Sequence, residues 1–336
     1  MRAMVLHNIG PIESAPLRQR EVPGAKPSRG EALVKVACCA LCRTDLHIVE
    51  GDLPMVRLPI IPGHQVVGTV VALGEGVTSL RIGQRVGVAW LQHTCGRCRF
   101  CAAGRENLCE SSRYTGYHAD GGLAQYATVP ADFAYEIPDG FSDVDAAPLL
   151  CAGIVGYRAL VRSGLKPGGR LAIYGFGSSA HLVIQIAIHR NCVVHVVTRR
   201  PEHQRSALSL GAAWAGDDPA QMPDKADAAI LFAPSGALVP PALEHLERGG
   251  ALALAGIHMS AVPSIEYDRH LFQERDIHPV TANTRADARE FLREAARIPL
   301  RPQTRVYSLA DANRALADMK EGKIDGTGVV RIGDDG

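Results

Sequence analysis

The 336-residue sequence lacks a marked excess of either charge, a long apolar run and an export signal. A formal net charge of +1 gives no electrostatic reason to expect nucleic acid or an anionic membrane as a partner. No uninterrupted apolar stretch reaches the roughly 18 residues that a membrane-spanning helix needs. Residues 1–8 show no secretory cleavage pattern. We therefore expect a soluble, cytoplasmic protein without nucleic-acid or membrane partners.

The sequence also lacks internal repeats and low-complexity tracts. Hydrophobic residues make up 46% of it and charged residues 21%, which is the ordinary range of a globular protein. A chain of this length can bury a sizeable core and suggests two domains. Its nine cysteines are an odd number, and four of them fall within residues 95–109. In a cytoplasmic chain, such clustering indicates metal binding before disulfides.

The first 150 residues are predicted to be rich in strands. Short Val-rich runs are interrupted by Gly and Pro, with turns predicted at 74–76 and 82–85. This pattern favours a barrel-like or partly open β domain with long loops. The predicted strands are Glu31–Val36, Val66–Leu73, Gly83–Trp90, Gly121–Val129 and Ala134–Ile137.

After residue 151 the pattern changes, and short apolar strands alternate with helix-like stretches. This alternation predicts right-handed βαβ crossovers and a parallel sheet. The predicted strands here are Leu171–Tyr174, Val193–Val197, Ala228–Phe232 and Ala251–Ala255, and the helices are Ser179–Arg190, Glu202–Leu210 and Leu238–Arg248. The last fifty residues hold predicted helices Ala286–Arg297 and Leu309–Glu321, a strand around Val306 and a strand at Val329–Ile332.

A glycine turn at Gly175, Gly177 and Ala180 lies between a predicted strand and a predicted helix. That context is typical of a dinucleotide-binding fingerprint, in which the first Gly makes the turn and the second lets the backbone approach a pyrophosphate. The pyrophosphate would rest on the N-terminus of the helix. The alternative is a turn without a ligand.

The sequence lacks an acidic residue between Ser178 and Pro201, where an NAD site would place one for the ribose 2′-hydroxyl. The next strand ends instead in Thr198, Arg199 and Arg200. Guanidinium groups suit a 2′-phosphate because they form charge-assisted hydrogen bonds with it. We therefore favour NADP(H) over NAD(H); the alternative is a solvated pair of arginines.

A lobe at about residues 93–111 contains four cysteines at short spacings. Four thiolates within fifteen residues match a closed, tetrahedral structural zinc site, which stabilises a loop without a core of its own. The alternative is a redox or iron–sulfur site. The four residues are Cys95, Cys98, Cys101 and Cys109.

A second candidate metal site involves Cys42 and His64, with Cys151 as the third ligand from far along the chain. Three protein ligands and an open position are typical of a catalytic zinc. The alternative is that Cys42 is a small buried hydrophobe and His64 a core histidine.

Taken together, these motifs resemble the zinc-containing alcohol dehydrogenases of the medium-chain dehydrogenase/reductase superfamily. The resemblance covers essentially the whole chain. It rests on Cys42–His47, Pro62–His64, the lobe, Tyr114–Tyr117, Leu150–Gly153 and Gly175–Gly177. It implies an α/β protein, with a GroES-like β-rich catalytic domain at 1–152 and 283–336, a Rossmann doubly wound parallel-sheet domain at 153–282, and an active-site cleft between them.

The resemblance also implies roles for individual residues. Two zinc ions per chain are expected, the catalytic one on Cys42, His64 and Cys151. Thr44 would hydrogen-bond the alcohol and His47 would end the proton relay. Further expected roles are the orientation of the zinc-binding histidine by Asp45, a pyrophosphate contact by Arg43 and a place in the substrate pocket for Trp90.

Two residues depart from the family pattern. Gln65 follows His64 where relatives usually have Glu, which makes the metal site less anionic. Thr327 stands where relatives often carry an Arg, which removes one expected phosphate contact.

The expected function is reversible hydride transfer between a primary alcohol and NADP(H), or aldehyde reduction in the reverse direction. Alternatives are a polyol or aryl-alcohol (cinnamyl-type) dehydrogenase, or a catalytically silent zinc- and nucleotide-binding protein. By analogy with the family, a homodimer or homotetramer that acts on a small-molecule substrate is expected.

Overall fold

The computed structural model describes residues 1–54 and 57–333, and packing divides the chain into two compact units. The first unit contains Met1–Ile154, Ala282–Arg297 and the residues from Pro302 onward; the second contains Val155–Thr281 and Ile298–Arg301. The chain thus leaves the first unit near residue 154 and returns to it near residue 282. The domain boundaries at 152 and 283 remain a prediction.

Short strands dominate the N-terminal part of the first unit. The strands are β1 (Arg2–Leu6), β2 (Leu17–Glu21), β3 (Glu31–Ala40), β4 (Gln65–Leu73), β5 (Arg85–Val88), β6 (Leu91–His93), β7 (Arg113–Tyr114), β8 (Tyr126–Pro130) and β9 (Ala134–Glu136). The helices are α1 (Arg43–Glu50), α2 (Arg99–Ala102) and α3 (Asp143–Ala146), with 3-10 turns at Ile12–Ser14, Glu106–Leu108, Ala131–Phe133 and Ala147–Leu150.

The second unit alternates strands with helices. Its strands are β10 (Arg170–Tyr174), β11 (Val193–Val197), β12 (Trp214–Gly216), β13 (Ala226–Leu231), β14 (Leu246–Leu254) and β15 (Asp276–Pro279). The helices in this part of the chain are α4 (Ala152–Arg162), α5 (Ser178–His189), α6 (Pro201–Ser209), α7 (Val239–Glu244) and α8 (Tyr267–His270), with 3-10 turns at Pro219–Gln221 and Gly236–Leu238.

The six strands of the second unit form one parallel sheet in the order β12-β11-β10-β13-β14-β15. Counted along the chain, this order is 3-2-1-4-5-6, which defines the doubly wound Rossmann arrangement. The order reverses between β10 and β13, and the glycine turn follows β10. The sheet therefore confirms the predicted fold class for this unit.

The last part of the chain completes the first unit. It contains α9 (Arg285–Ala295), β16 (Thr304–Ser308), a 3-10 turn (Leu309–Asp311), α10 (Ala312–Lys320) and β17 (Thr327–Arg331). β17 pairs antiparallel with β3, with Val329 opposite Ala40. The resulting sheet has the order β16-β17-β3-β4-β5-β9, and β8 also pairs with β3. This pairing joins the two ends of the chain in one β-rich unit.

Some predicted element bounds are wrong. The strand predicted at Gly121–Val129 begins only at Tyr126, because the backbone N–H groups of residues 121 and 122 bond to Ile61 and Gly63 instead of to a neighbouring strand. The helix predicted at Leu238–Arg248 ends at Glu244, since residues 246–248 belong to β14. The strand predicted at Gly83–Trp90 is confined to β5.

Within residues 1–54 and 57–333, no single helix combines the length and apolar composition of a membrane span. The segments Asp143–Leu150 and Ala152–Arg162 meet those criteria only as a pair, bent by 43°.

Candidate metal and cofactor sites

Three side chains from distant parts of the first unit converge on one point. Cys42 immediately precedes α1, His64 immediately precedes β4, and Cys151 follows the 3-10 turn that precedes α4. Their ligand atoms all lie within 4.8 Å of one another, and Cys42 Sγ is 3.4 Å from His64 Nε2. The structure therefore brings together the three residues that were predicted to hold a catalytic zinc.

Gly63 lets the backbone that carries His64 pack closely against β3. Gly63 has φ of 97°, which is in the left-handed region that favours glycine. A Cβ at this position would lie 2.8 Å from Cys39 Sγ and 3.0 Å from the backbone N of Leu123. Any larger residue would push the chain that carries His64 away from β3.

Asp45 fixes both Cys42 and His64. Its Oδ1 lies 2.9 Å from Nδ1 of His64, and its Oδ2 accepts a 2.9 Å hydrogen bond from the backbone N–H of Cys42. The second bond belongs to the capping box at the start of α1. Asp45 and His64 are fully buried. This carboxylate therefore orients the ring so that Nε2 faces Cys42.

The metal-free site holds protons that a metal would displace. A hydrogen bond from Cys151, together with the nearby His64, holds the pKa of Cys42 well below its usual range. The same hydrogen bond and burial raise the pKa of Cys151. Burial opposes a charge on His64, but Asp45 and Cys42 together raise the pKa of the ring to about 10. Burial raises the pKa of Asp45. Zinc binding would therefore release protons from this cluster.

The geometry of the trio fits a zinc ion. Tetrahedral zinc with Zn–S bonds of about 2.3 Å and Zn–N bonds of about 2.0 Å places its ligand atoms roughly 3.4–3.8 Å apart. The 3.4 Å separation of Cys42 Sγ and His64 Nε2 falls at the short end of this range. Two sulfurs and one imidazole nitrogen are also a donor set that zinc prefers, and three ligands leave one position open.

Gln65 lies next to this site and is fully buried. Its Oε1 accepts a 3.4 Å hydrogen bond from the backbone N–H of Ala152, the residue after Cys151. Its Nε2 is buried and has no hydrogen-bond partner in the described part of the chain. The residues that follow two of the three candidate ligands are therefore bonded to each other.

Thr44 and His47 lie on α1, three residues apart, and so occupy the same side of the helix. Thr44 is buried, and its backbone N–H donates to Cys42 Sγ at 3.4 Å. The Nδ1 of His47 lies 2.7 Å from Oδ2 of Asp52. Arg43, the first residue of the helix, is exposed. No sequence motif predicted a role for Asp52.

Trp90 packs against the candidate ligand His64. The two ring centroids are 4.9 Å apart, in an edge-on arrangement. Tyr114 and Tyr117 stack with Trp90 at centroid distances of 4.8 and 5.8 Å. An aromatic cluster therefore lies beside the metal site, and the contribution of the two tyrosines to it was not predicted.

The four cysteines of the lobe form the second cluster, and their sulfur atoms all lie within 4.8 Å of one another. Cys98 Sγ is 3.5 Å and Cys95 Sγ 4.0 Å from Cys101 Sγ. Backbone N–H groups of Arg97 and Cys98 bond to the Cys95 sulfur and lower the pKa of its thiol to about 6. Four sulfurs grouped this closely fit a closed zinc site.

The glycine turn joins β10 to α5. Gly175 has φ of 88°, and a Cβ there would lie 2.8 Å from the backbone N of Ala233. Gly177 precedes α5, and a Cβ there would meet no atom within 4 Å. Ala180 is fully buried against the unit's core. The second glycine thus leaves open space before the helix, which is what a pyrophosphate on that N-terminus would require.

The residues predicted to select the cofactor follow β11. Thr198 is buried, and its backbone N–H donates to Gly216 O at 2.7 Å. Arg199 is exposed, and Arg200 is half-buried with a nitrogen 3.7 Å from Glu202. Thr198, Arg199 and Arg200 therefore directly follow the end of β11, the strand after the glycine turn.

Comparison with known proteins agrees with this architecture. A family model for the alcohol dehydrogenase GroES-like domain matches residues 28–139. The chain is 51% identical to the probable alcohol dehydrogenase AdhA of Mycobacterium tuberculosis (strain CDC 1551 / Oshkosh) over 99% of this chain and 97% of that protein. The cobalt- and zinc-bound thermostable alcohol dehydrogenase from Pyrobaculum aerophilum superposes with a TM-score of 0.88 and 28% identity, covering 98% of this chain and 99% of that one.

A further solved structure, of a putative zinc-binding dehydrogenase from Sinorhizobium meliloti 1021 bound to NADP, has a TM-score of 0.85 and 27% identity and covers 98% of each chain. The fold is thus a GroES-like unit together with a Rossmann unit. This chain belongs to the zinc-containing alcohol dehydrogenases of the medium-chain dehydrogenase/reductase superfamily.

Proposed function

We propose that the protein is a zinc-dependent alcohol dehydrogenase and aldehyde reductase that transfers a hydride reversibly between a primary alcohol and NADP(H). The observation that carries this proposal is the convergence of Cys42, His64 and Cys151 beside the hydroxyl-bearing Thr44. A site that only bound zinc would need four protein ligands and no neighbouring hydroxyl. Three ligands leave one coordination position for a substrate oxygen.

Cys42, His64 and Cys151 would hold the catalytic metal. When bound, zinc would polarise the substrate oxygen and lower the pKa of an alcohol, and the nicotinamide cofactor would accept the hydride. Asp45 would keep His64 oriented and compensate part of the added positive charge. Asp45 and His64 are fully buried, so solvent does not compete with the hydrogen bond between them.

Thr44 and His47 would handle the proton. The Thr44 hydroxyl can both donate and accept, so it would orient the alcohol and accept its proton while passing on its own. His47, with 17% of its side chain exposed, would deliver that proton to water. Neither residue is needed for metal binding alone, which favours catalysis over the silent-binding alternative.

The second unit would hold the cofactor. Gly175, Gly177 and Ala180 would carry the pyrophosphate on the N-terminus of α5. Thr198 and the guanidinium groups that follow it would bind the 2′-phosphate of NADP(H). Arg43 would contact the pyrophosphate, as the family resemblance implies. The absence of an acidic residue between 178 and 201 supports this preference, because NAD would lack an acceptor for its ribose hydroxyl.

The lobe cysteines Cys95, Cys98, Cys101 and Cys109 would bind the second, structural zinc. An aryl alcohol is a second candidate for the substrate, favoured by the aromatic cluster of Trp90, Tyr114 and Tyr117 beside His64. Flat aromatic side chains stack well with a flat substrate ring.

Initial rates on zinc-replete protein would test the proposal. Primary, benzylic and polyol alcohols would each be assayed with NADP+ and with NAD+ by following the reduced cofactor. We expect turnover of primary or benzylic alcohols that is faster with NADP+. Faster turnover with NAD+ would contradict the cofactor assignment only. No turnover with either cofactor, at full zinc occupancy, would favour a silent zinc- and nucleotide-binding protein.

A further inference from the structure

The turn that ends helix α1 brings a carboxylate onto His47. The chain passes from Glu50 through Gly51 to Asp52, and the side chain of Asp52 folds back so that its Oδ2 lies 2.7 Å from His47 Nδ1. The backbone N–H groups of Gly51 and Asp52 both donate to the carbonyl oxygen of His47, at 3.0 and 2.9 Å. Two backbone bonds and one side-chain bond therefore link this turn to a single histidine.

The sequence fits this turn closely. Gly51 has φ of 84°, a conformation that residues with a Cβ rarely adopt. A Cβ there would also lie 2.7 Å from Cδ1 of Ile9. A helix that ends on this glycine is thus directed to place residue 52 beside residue 47.

Contacts of Glu50 also hold this end of α1 in place. Glu50 accepts a 3.0 Å hydrogen bond from the backbone N–H of Ile12 and a 2.8 Å bond from Lys320 Nζ. Lys320 also bonds to Glu13 at 2.8 Å. Glu50 is thus bonded to Ile12 and Lys320, and the carboxylate of Asp52 is held against the ring by a fixed backbone.

The hydrogen bond defines which ring nitrogen carries the proton. A carboxylate only accepts, so Nδ1 must be the protonated nitrogen of the neutral ring and Nε2 carries the lone pair. A base that receives a proton needs that lone pair, and a nearby carboxylate stabilises the imidazolium that results. The same division of labour between carboxylate and imidazole operates in hydrolases with a Ser-His-Asp triad.

We propose that Asp52 is a positioning residue for the reaction, which holds His47 with its proton on Nδ1 and stabilises the ring when Nε2 takes up the proton of the alcohol. The proton would then leave Nε2 for water, and the bound nicotinamide cofactor would supply the hydride acceptor. This role rests on the proposed function, because that function makes His47 the base. Asp52 would not touch substrate or cofactor.

The test compares Asp52→Ala, Asp52→Asn and Glu50→Gln with the wild type, all zinc-replete. Nitrogen-15 NMR of the 13 histidines reports the tautomer of each ring, and the spectrum of a His47→Gln variant identifies the His47 signals. Steady-state rates with the best alcohol give kcat and KM, and thermal melting checks the fold.

We expect Asp52→Ala to move His47 toward the Nε2–H tautomer. The value of kcat should fall about 10-fold, because a proton-transfer group that is misplaced loses part of its contribution to the rate, and KM should change little. Asp52→Asn keeps an acceptor oxygen, so it should retain the tautomer and recover part of kcat. Glu50→Gln weakens the same helix end through its bonds to Ile12 and Lys320, and should lower the melting temperature while the tautomer and kcat stay as in the wild type.

An active wild type whose Asp52→Ala variant keeps both its tautomer and its kcat would overturn this role alone. Equal effects of Glu50→Gln and Asp52→Ala on kcat would also overturn the positioning role. They would show that Asp52 acts only by stabilising the end of α1. A zinc-replete wild type without turnover would overturn the proposed function, and the positioning role with it.

Discussion

Gln65 Oε1 accepts a hydrogen bond from the backbone N–H of Ala152 across 87 residues of sequence, at 3.4 Å. Gln65 and Ala152 directly follow His64 and Cys151. The bond therefore links the two chain segments that carry these candidate zinc ligands. The amide also leaves Nε2 buried without a hydrogen-bond partner among the described residues. The neutral Gln65 side chain thus links the segments that carry two ligands without adding a negative charge to the candidate metal site.

Replacing Gln65 with Glu should therefore destabilise the protein more without metal than with it. In the metal-free protein, a fully buried carboxylate near a thiolate should lower the free energy of unfolding by about 2 kcal/mol or more. Bound zinc would offset this cost through its charge. The measurement is the difference in melting temperature between zinc-loaded and chelated protein, which should be larger for Gln65→Glu than for the wild type.

Gln92→Glu is a matched control. Gln92 is also buried in the first unit, and its Nε2 donates to Thr128 O at 3.4 Å. Its replacement should destabilise the loaded and the chelated protein equally. A zinc-induced gain in stability that is the same for both variants would contradict a place for Gln65 at the metal.

The cofactor prediction concerns Arg199 and Arg200. Replacing both with Ala should raise KM for NADP+ about 10- to 100-fold, since two partly solvent-exposed charge-assisted hydrogen bonds together contribute about 1.4–2.7 kcal/mol. KM for NAD+ should change little, because NAD lacks the 2′-phosphate. Arg205→Ala, which removes an exposed charge farther along α6, is the control and should leave both values unchanged. An equal rise of both KM values in the double variant would argue against phosphate recognition.

Glu106 provides a pH-dependent prediction. It lies in the lobe, and its Oε1 accepts from the backbone N–H of Arg285 at 3.0 Å and from its Nε at 3.3 Å. Burial alone would raise the pKa of Glu106, but these hydrogen bonds outweigh burial and hold the pKa below its ordinary value. A carboxylate whose pKa is lower in the folded state stabilises the protein above its unfolded pKa and loses this effect as the pH falls.

Glu106→Gln should therefore cost about 1 kcal/mol of unfolding free energy at pH 7, the size of one lost charge-assisted hydrogen bond at a helix N-terminus. The cost should shrink as the pH falls from about 5 toward 3, because protonation then removes the same charge from the wild type. Denaturant melts across this range give both values. Asp132→Asn is the control. The Oδ2 of Asp132 lies 3.8 Å from Nη1 of Arg285, but Asp132 is exposed, so the free energy of unfolding should change little. A cost that is independent of pH would contradict the ion-pair account.

The sequence predicted the locally encoded features best. The four lobe cysteines lie within fifteen residues, so their spacing alone indicated a shared site, and the structure brings the four sulfurs together. The alternation of strands and helices after residue 151 likewise predicted the parallel sheet. Both depend on short-range patterns, which a single sequence contains.

Features that depend on the path of the chain could not be predicted in this way. Residue types suggested Cys42 and His64, whereas Cys151, 87 residues beyond His64, was predicted as the third ligand with the support of the family resemblance; the fold brings the three together. The contact between Asp52 and His47 depends on the left-handed turn at Gly51. The contact between Gln65 and Ala152 depends on the packing of β4 against the segment before α4. The strand predicted at Gly121–Val129 began too early because tertiary hydrogen bonds take up the backbone of its first residues.

The most direct test of a catalytic and a structural zinc site is the zinc content of three purified proteins after exhaustive dialysis, measured together with alcohol oxidation. We predict two zinc ions per chain in the active wild type. Cys151→Ser should hold one zinc ion, on the lobe, and lose activity while it stays folded. Cys98→Ser should keep the catalytic zinc ion but melt at a lower temperature. One zinc ion in an active wild type, or two in Cys151→Ser, would contradict the assignment of Cys42, His64 and Cys151 as the catalytic metal site.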